Sequence, residues 1–283
     1  MHMHSSGSLT TPPAVAAAPT LVFRAVLQGA ARIGWRNRQI RLDEDSWLVL
    51  DARETCSVRF DPEQRTRMLA VVVSPDDVKA ALSGADEPAG AASLTTNLLA
   101  AAAGWPAVLA LADNLRPRDG PAGRRLLAIA EARAAARPHP EERLQRLALV
   151  RDVCAEEQAL RRRADRIDCV KAATREQLLR RILLAADFIA SRHDEPISLD
   201  EMARAASLSR FHFVRLFSLV HGETPHAYLR RKRTAVARRH LAVGSACSEA
   251  ASRAGFGSRS SLFRNLRKAA PAQLSSESCS PSA

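Results

Sequence analysis

Two segments near the C-terminus repeat one order of features: a capping residue, a short helix, a tight turn and a second helix. In the first copy, Ser198 and Glu201 have the spacing of a capping box and begin a helix that ends near Ala206. A new apolar pattern follows Ser209, with Phe213 among its core positions. Because so few residues separate the two helices, the segment is predicted to be a helix-turn-helix motif.

The second copy lies 48 or 49 residues further along the chain. A shift of 49 superposes Ser209 and Phe213 on Ser258 and Leu262, and the one-residue difference falls in the turn. Single matches arise by chance, but a set in this order indicates a true repeat. Gly255 provides the turn with the positive φ that most residues avoid, and Ser207 occupies the matching place in the first copy. Ser207 and Gly255 are therefore the predicted structural turn residues.

Residues 226–243 between the copies contain neither Gly nor Pro and are predicted to form one helix. At about 1.5 Å per residue this helix spans about 27 Å, near the roughly 34 Å that separates successive major grooves. A further helix is predicted to begin at a capping box over residues 174–177. The arrangement predicts bipartite binding along one face of duplex DNA.

The net charge agrees with a polyanionic partner. The chain carries 42 Lys and Arg against 30 Asp and Glu, a net charge of +12. The excess is concentrated in residues 176–283, with 17 basic and 9 acidic residues. Such a balance is typical of a nucleic-acid-binding domain.

The N-terminal half has a different pattern. From residue 21 it consists of short β-prone runs, and residues 55–60 alternate apolar and polar side chains as a half-buried strand does. Closely spaced strands of this kind commonly close into a small barrel or sandwich that can hold a ligand. A metal-dependent enzyme on such a barrel is the alternative, but no histidine occurs between His4 and His139, and the chain has no phosphate-binding Gly-rich loop or GxSxG motif.

Residues 76–170 change to helical spacing. An uncharged, alanine-rich stretch over residues 88–112 is interrupted by Gly104 and Pro106, which favours two packed helices over a membrane span. The apolar positions Leu144 and Cys154 lie on a predicted helix face that either packs on the barrel or mates with another subunit. The five cysteines are widely spaced and odd in number, which favours a reducing compartment.

The second half of the chain resembles a known family. Residues 198–242, with the run RFHFVRLF and the tetrapeptide GETP, resemble the first half of the AraC/XylS-type DNA-binding domain, and residues 249–268 resemble its second half. The resemblance implies seven helices with two recognition helices in adjacent major grooves. It also implies an N-terminal cupin-like barrel followed by helices. Cys247 and Ala250 depart from the family pattern, since aliphatic residues usually stand there, and a softer second motif is expected.

By this resemblance, eight positions of the recognition helices face the DNA grooves. Arginines there donate two hydrogen bonds to guanine or contact phosphate, and apolar residues contact thymine methyl groups. The basic residues of the connecting helix, residues 230–232, 238 and 239, are expected to contact the DNA backbone or to be solvated, whereas Arg233 is expected to be structural. The predicted DNA-contacting residues are Arg210, Phe211, Val214, Arg215, Arg259, Ser260, Phe263 and Arg264.

The predicted fold class is α+β, with a small cupin-like barrel or sheet plus helices followed by an all-α domain with two helix-turn-helix motifs. The expected boundaries are a disordered tail over 1–20, an effector-sensing or dimerisation domain over 21–170, a DNA-binding domain over 171–274 and a polar tail over 275–283.

The expected function is sequence-specific transcriptional regulation in the cytoplasm, without enzymatic activity, cofactor or metal. Double-stranded DNA is the expected partner, with a small-molecule effector, a second copy of the chain, and RNA polymerase for an activator as further candidates; no membrane contact is expected. The alternatives are an enzyme with a DNA-binding appendage and a DNA binder indifferent to sequence.

Overall fold

The N-terminal part consists of two antiparallel four-stranded sheets. The computed structural model describes residues 8–11, 20–35, 38–52, 55–60, 65–83, 114–135, 139–168 and 171–269. The first sheet has the order β1-β6-β3-β4 and the second has the order β7-β2-β5-β8. The strands are β1 (Ser8–Thr11), β2 (Leu21–Gln28), β3 (Ala30–Trp35), β4 (Arg38–Asp43), β5 (Ser46–Asp51), β6 (Cys56–Phe60), β7 (Arg67–Val73) and β8 (Arg116–Pro117).

One strand corrects the expectation of a disordered tail over residues 1–20. Ser8–Thr11 pair antiparallel with β6, with Ser8 opposite Arg59 and Thr11 opposite Cys56. Without β1, the backbone groups along that side of β6 would have no strand partner, and an open strand edge invites pairing with other chains. The N-terminal segment therefore contributes to the sheet.

The two sheets enclose an apolar core. Side chains from both sheets form one buried cluster that includes Ile33, Trp35, Leu42, Leu48 and Val58. The opposite face of the second sheet is covered by helices, where Phe23 and Trp47 belong to a second cluster. These helices are α1 (Pro75–Ser83), α2 (Pro121–Ala134) and α3 (His139–Ala164).

The predicted apolar face over residues 144–154 packs on the sheet for most of its length. Val150 and Cys154 are buried in the cluster around Trp47, whereas Leu144 is 67% exposed. Burial raises the pKa of the Cys154 thiol to about 12, so this thiol stays protonated. The predicted helix pair over residues 88–112 lies outside the described residues. In the part of the chain that is described, no helix is long and apolar enough to cross a membrane.

The C-terminal part is all helical. Its helices are α4 (Ala172–Ser191), α5 (Leu199–Ala205), α6 (Arg210–His221), α7 (Pro225–Ala242), α8 (Cys247–Arg253) and α9 (Arg259–Ala269). The fold is α+β, as the sequence predicts. The capping box at Ser198 forms, with the Glu201 amide donating to Ser198 Oγ and the Ser198 amide donating to the Glu201 carboxylate. The capping box predicted at Thr174 does not begin α4, because the helix starts two residues earlier, where two alanines favour helical backbone.

The core of the first helix-turn-helix motif extends across the expected domain boundary. Ala164, at the end of α3, and Ile167 are buried in one cluster with Phe213 and Phe217 of α6. The boundary expected between residues 170 and 171 therefore lies inside a continuous apolar core. The last turns of α3 pack with the C-terminal helices, although its earlier turns pack on the sheet.

Candidate nucleic-acid interface

The two helix-turn-helix motifs close their turns with matching hydrogen bonds. In the first motif the Leu208 amide donates to the Ala203 carbonyl at 3.0 Å. In the second, the Phe256 amide donates to the Ala251 carbonyl at 2.8 Å. These donors and acceptors are 48 residues apart, which is the shift that the repeat predicts for the short helix and turn.

Both predicted turn residues have a left-handed backbone. Ser207 has φ of 52° and Gly255 has φ of 78°. Ser207 is the one residue other than glycine with positive φ in the described part of the chain, and such a conformation is strained for a side chain with a Cβ atom. At Gly255 an added Cβ would lie 2.5 Å from the His193 carbonyl oxygen, so this position excludes any side chain.

Each motif buries a small residue where its two helices cross. Ala203 and Ala251 are both 2% exposed. Phe213 fills the first core and Leu262 the second, and both are fully buried. The second core is otherwise small, since Ala237, Ala250, Ala251 and Ala254 make up most of its buried members. The expectation of a softer second motif agrees with this composition.

The first recognition helix, α6, presents two of its predicted contact residues to solvent. Phe211 is 82% exposed, an unusual position for a phenylalanine in a folded domain. Arg215 is exposed one turn further along and forms no ion pair with a described residue. Val214 is half-buried and packs against the core of the motif.

Arg210 differs from the expectation of a free contact residue. Its guanidinium forms a two-point ion pair with Asp200 of α5, with Nη2 at 2.6 Å from Oδ2. The pair joins the two helices of the first motif across the turn. Arg210 is therefore engaged in an exposed ion pair within the protein in this structure.

The second recognition helix, α9, has a similar outer face. Arg259, Ser260 and Arg264 are exposed, and Phe263 is half-buried. The helix begins after Ser258, whose hydroxyl accepts a hydrogen bond from the Ser261 amide at 3.2 Å. An exposed helix N-terminus flanked by arginines favours the binding of anionic groups.

Helix α7 belongs to both cores. Leu229 in its first half is buried in the cluster of the first motif, and Val236 and Ala237 in its second half are buried with the second motif. Arg233 donates from Nε to the His193 carbonyl at 2.6 Å and from Nη2 to the Glu195 carbonyl at 2.7 Å, which agrees with a structural role. A rigid helix packed at both ends fixes the separation of the two motifs.

An aromatic cluster supports the C-terminal end of α6. His221 stacks on Phe217 with ring centroids 4.3 Å apart and packs against the edge of Tyr228. Burial, together with the charges of Arg231 and Arg163, lowers the pKa of His221 to about 3. This histidine is therefore neutral at physiological pH and serves as a packing residue.

Two basic residues of α7 contact the N-terminal domain, which the sequence analysis did not predict. Lys232 is 9% exposed, and its Nζ lies 2.7 Å from Asp43 Oδ1 and 3.5 Å from Asp45 Oδ2. Arg239 forms an ion pair with Asp45 and lies 3.9 Å from the Glu44 carboxylate. Lys232 and Arg239 were expected to contact DNA or solvent. They are instead held by the turn between β4 and β5, because the carboxylates of Asp43, Glu44 and Asp45 neutralise them.

Helix α4 makes further contacts between the domains. Asp187 is 3% exposed and forms an ion pair with Arg38 of β4, while its second oxygen accepts from the Leu115 amide at 2.9 Å. Arg41 of β4 pairs with Asp194 just beyond α4, with Nη1 at 2.6 Å from Oδ2. The signal for Asp187 is present in the sequence, since it is the one charged residue within the apolar run of residues 182–190. A lone acid on a buried face requires a partner.

Comparison with known proteins identifies the C-terminal domain. Residues 202–273 match the model of a family described as a helix-turn-helix domain. No curated protein matches the chain.

Solved structures of ToxT from Vibrio cholerae are similar over most of the chain. ToxT from strain O395 is 9% identical, with 94% of this chain and 90% of ToxT covered and a TM-score of 0.32. The same protein bound to (E)-4-(8-methylnaphthalen-1-yl)but-3-enoic acid is 11% identical, with coverage of 94% and 91% and a TM-score of 0.34. Wild-type ToxT of strain SCE256 bound to an unsaturated fatty acid is 10% identical, with coverage of 93% and 87% and a TM-score of 0.32.

The helix-turn-helix match includes both turns, both recognition helices and the helix that joins them. The two motifs share their turn hydrogen bonds and their small crossing residues, and each has an exposed basic helix face. The C-terminal part of this chain is therefore a double helix-turn-helix domain, and its residues 202–273 match the family described as a helix-turn-helix domain.

Proposed function

We propose that this chain is a sequence-specific DNA-binding regulator that places α6 and α9 in successive major grooves of one operator. The observation that carries the proposal is the pair of matching motifs joined by one helix that packs in both cores. We further propose residues 21–170 as the regulatory domain and 171–274 as the DNA-binding domain. Leu160, Ala164 and Ile167, which come before residue 171, contribute to the core of the latter.

Base recognition is proposed for the exposed faces of the two helices. Arg215 and Arg264 are exposed and form no ion pair with a described residue, so their guanidinium groups can bind guanine, and Phe211 offers its ring to thymine methyl groups. Arg259 and Ser260 at the N-terminus of α9 suit phosphate or base contacts. Val214 and Phe263 are half-buried, and we propose that the exposed part of each side chain contacts the DNA groove while the buried part packs on its motif. We propose that Arg210 contacts DNA only if it leaves Asp200.

Regulation is proposed to act through the N-terminal domain, by a small-molecule effector or a second copy of the chain, in the cytoplasm. RNA polymerase is the further partner if the protein activates transcription. We propose no catalytic role for this chain.

The experiment is a binding-site selection on random duplex DNA with the full chain, followed by binding measurements on the selected site. Arg215→Ala is expected to lose about 1–3 kcal/mol on that site and to relax specificity at one base position. Arg67→Ala, an exposed arginine of β7, is the matched control and is expected to bind as the wild type does. Enrichment of no sequence would support an architectural binder, and an equal loss on all sequences would make Arg215 a phosphate contact.

A further inference from the structure

Three arginines lie side by side across the outer face of the first sheet. The register places Arg32 of β3 directly opposite Arg59 of β6 on one side and directly opposite Arg41 of β4 on the other. Directly opposed residues share one face of a sheet, with Cβ atoms roughly 5 Å apart, and like charges in such pairs destabilise the sheet. We call Arg59, Arg32 and Arg41 the arginine row.

The arginine row borders a cavity between the two domains. The cavity has a volume of about 1170 Å³, with the arginine row on one wall and residues of α7 and α8 on the other. The six arginines that line it outnumber its four carboxylates. The arginines are Arg32, Arg41, Arg59, Arg65, Arg239 and Arg253.

Within the described part of the chain, three of these arginines form ion pairs and three do not. Arg41 pairs with Asp194, Arg239 with Asp45, and Arg253 with Glu249 at 2.9 Å. Arg32, Arg59 and Arg65 form no ion pair with any residue in the described ranges of the chain. The unneutralised charge is therefore concentrated on the wall that the sheet provides.

The opposite wall contributes a histidine to the cavity. His240 of α7 is partly buried there, and burial together with the charges of Arg253 and Arg239 lowers its pKa. Glu44 and Glu249 act in the opposite direction. His240 is thus neutral at physiological pH and is available to the cavity as a hydrogen-bonding group.

We propose that the cavity binds a small multivalent oxyanion, a polycarboxylate or a polyphosphate, on the guanidinium groups of Arg32 and Arg59. Guanidinium groups bind carboxylate and phosphate through two parallel hydrogen bonds, and two arginines at this spacing suit an anion with at least two charged groups. The anion offsets the repulsion within the arginine row. It also competes with Asp194 for Arg41, which links the site to an ion pair between the domains.

The consequence for DNA binding rests on the proposed function, whereas anion binding itself does not. Calorimetric titration of the full chain with sodium pyrophosphate and with trisodium citrate tests the site, with sodium chloride at matched ionic strength as the control. Saturable binding of at least one probe is expected, and the stronger probe identifies the class of anion. The proposal would be overturned if pyrophosphate and citrate each gave only the heat signal that sodium chloride gives.

Variants locate the site. Arg32→Gln with Arg59→Gln is expected to weaken binding at least tenfold, while Arg67→Gln, on the other sheet, keeps wild-type binding. Arg32→Lys with Arg59→Lys keeps the charge without the two-point geometry and is expected to bind more weakly than the wild type but better than the glutamine variant. Because the row repels itself, the glutamine variant is expected to unfold at no lower temperature than the wild type without anion. Equal binding by all variants would overturn the proposal, since the anion would then bind somewhere other than the arginine row.

A DNA titration separates two further outcomes. Pyrophosphate or citrate is expected to change DNA affinity at least threefold in the wild type and not in the glutamine variant. If the glutamine variant loses DNA affinity without any added anion and its salt dependence becomes less steep, the arginine row contacts DNA phosphate and the proposal is wrong. Anion binding by a chain that binds no DNA would refute the proposed function and leave the site intact.

Discussion

Replacing Lys232 by methionine is expected to weaken the contact between the two domains by about 3 kcal/mol. Methionine keeps most of the length of lysine but leaves Asp43, which is 4% exposed, without its closest cation. Loss of one partner of a buried ion pair costs about 3–5 kcal/mol. The lower value is expected because Ser46 Oγ at 2.9 Å and the Asp45 amide at 3.2 Å still donate to the Asp43 carboxylate.

A double-mutant cycle isolates the pair. Asp43→Asn leaves Lys232 with Asp45 as a partner and is expected to cost less than Lys232→Met. The double variant is expected to be more stable than Lys232→Met alone, with a coupling free energy of about 2 kcal/mol, because no uncompensated charge remains.

Urea unfolding with two probes measures the effect. All three tryptophans, Trp35, Trp47 and Trp105, belong to the N-terminal half, so their fluorescence follows that half while circular dichroism follows mainly the helices. The two transitions are expected to be closer together in the wild type than in Lys232→Met, where the domains are less firmly coupled. Additive effects in the cycle, or a midpoint unchanged by Lys232→Met, would refute the argument.

The pH dependence gives an independent test of the same pair. Burial acts to raise the pKa of Asp43, but Lys232 and Arg239 outweigh it and hold that pKa well below its usual range. A carboxyl with a lowered pKa contributes stability above about pH 4 that is lost as the pH falls through the folded pKa. Without Lys232 the effect of burial remains and the pKa rises. The deficit of Lys232→Met relative to the wild type is therefore expected to shrink between pH 7 and pH 4.

Three further predictions concern the DNA-binding domain. Leu262→Ala is expected to lower the free energy of unfolding by about 2–5 kcal/mol and to remove footprint protection from the second half-site only. Phe213→Ala is expected to remove protection from both half-sites, because α7 packs on the first core. Ala235→Pro in the middle of α7 is expected to cost about 3 kcal/mol and to uncouple the two half-sites, and a footprint at wild-type affinity over both would contradict it. His221 has a lower pKa in the folded chain than in the unfolded chain, so as the pH falls the unfolded chain takes up a proton on this histidine first. The free energy of unfolding is therefore expected to fall between about pH 6.5 and about pH 4, by on the order of 1 kcal/mol per pH unit. His221→Phe is expected to flatten that slope in a denaturation series, and an unchanged slope would assign it to other groups.

Local chemistry made the C-terminal motifs predictable. The capping box at Ser198 depends on two residues three positions apart, and the turn at Gly255 depends on the backbone conformation of one residue. Both can therefore be predicted from a few neighbouring residues. The repeat strengthened the prediction because the same helix-turn-helix pattern occurs twice in the chain. The capping box at Thr174 failed because it was judged without the two alanines before it, which extend the helix.

Strand β3 has a signal in the sequence that is present but short. Ala31, Ile33 and Trp35 alternate with less apolar residues and point into the core, while Gly29, with φ of 80°, makes the turn from β2. Period-2 alternation over six residues was available. A short strand next to a longer strand with a clearer apolar pattern is easily taken for part of the loop that follows the longer strand.

The ion pairs between the domains were not predictable from the sequence. Lys232 and Asp43 are 189 residues apart in the sequence. The neighbouring basic residues Arg230 and Arg231 are exposed, whereas Lys232 is buried. Nothing local distinguishes a lysine that meets a carboxylate in another domain from one that is solvated. Only the register of β4 and the position of α7 bring the two charges together.

The two domains meet through charge, whereas each is held together by apolar packing. Four buried clusters account for the cores, and the contacts between β4 and the C-terminal helices are ion pairs and hydrogen bonds. Coulombic contacts respond to anions and to salt, while apolar cores respond little, so a ligand can change the docking of the domains without unfolding either. The exception is α3, whose earlier turns pack on the sheet and whose last turns pack under α6. We therefore expect domain motion to be a change of ion pairing about α3, and we expect an effector to act through that pairing or through α3.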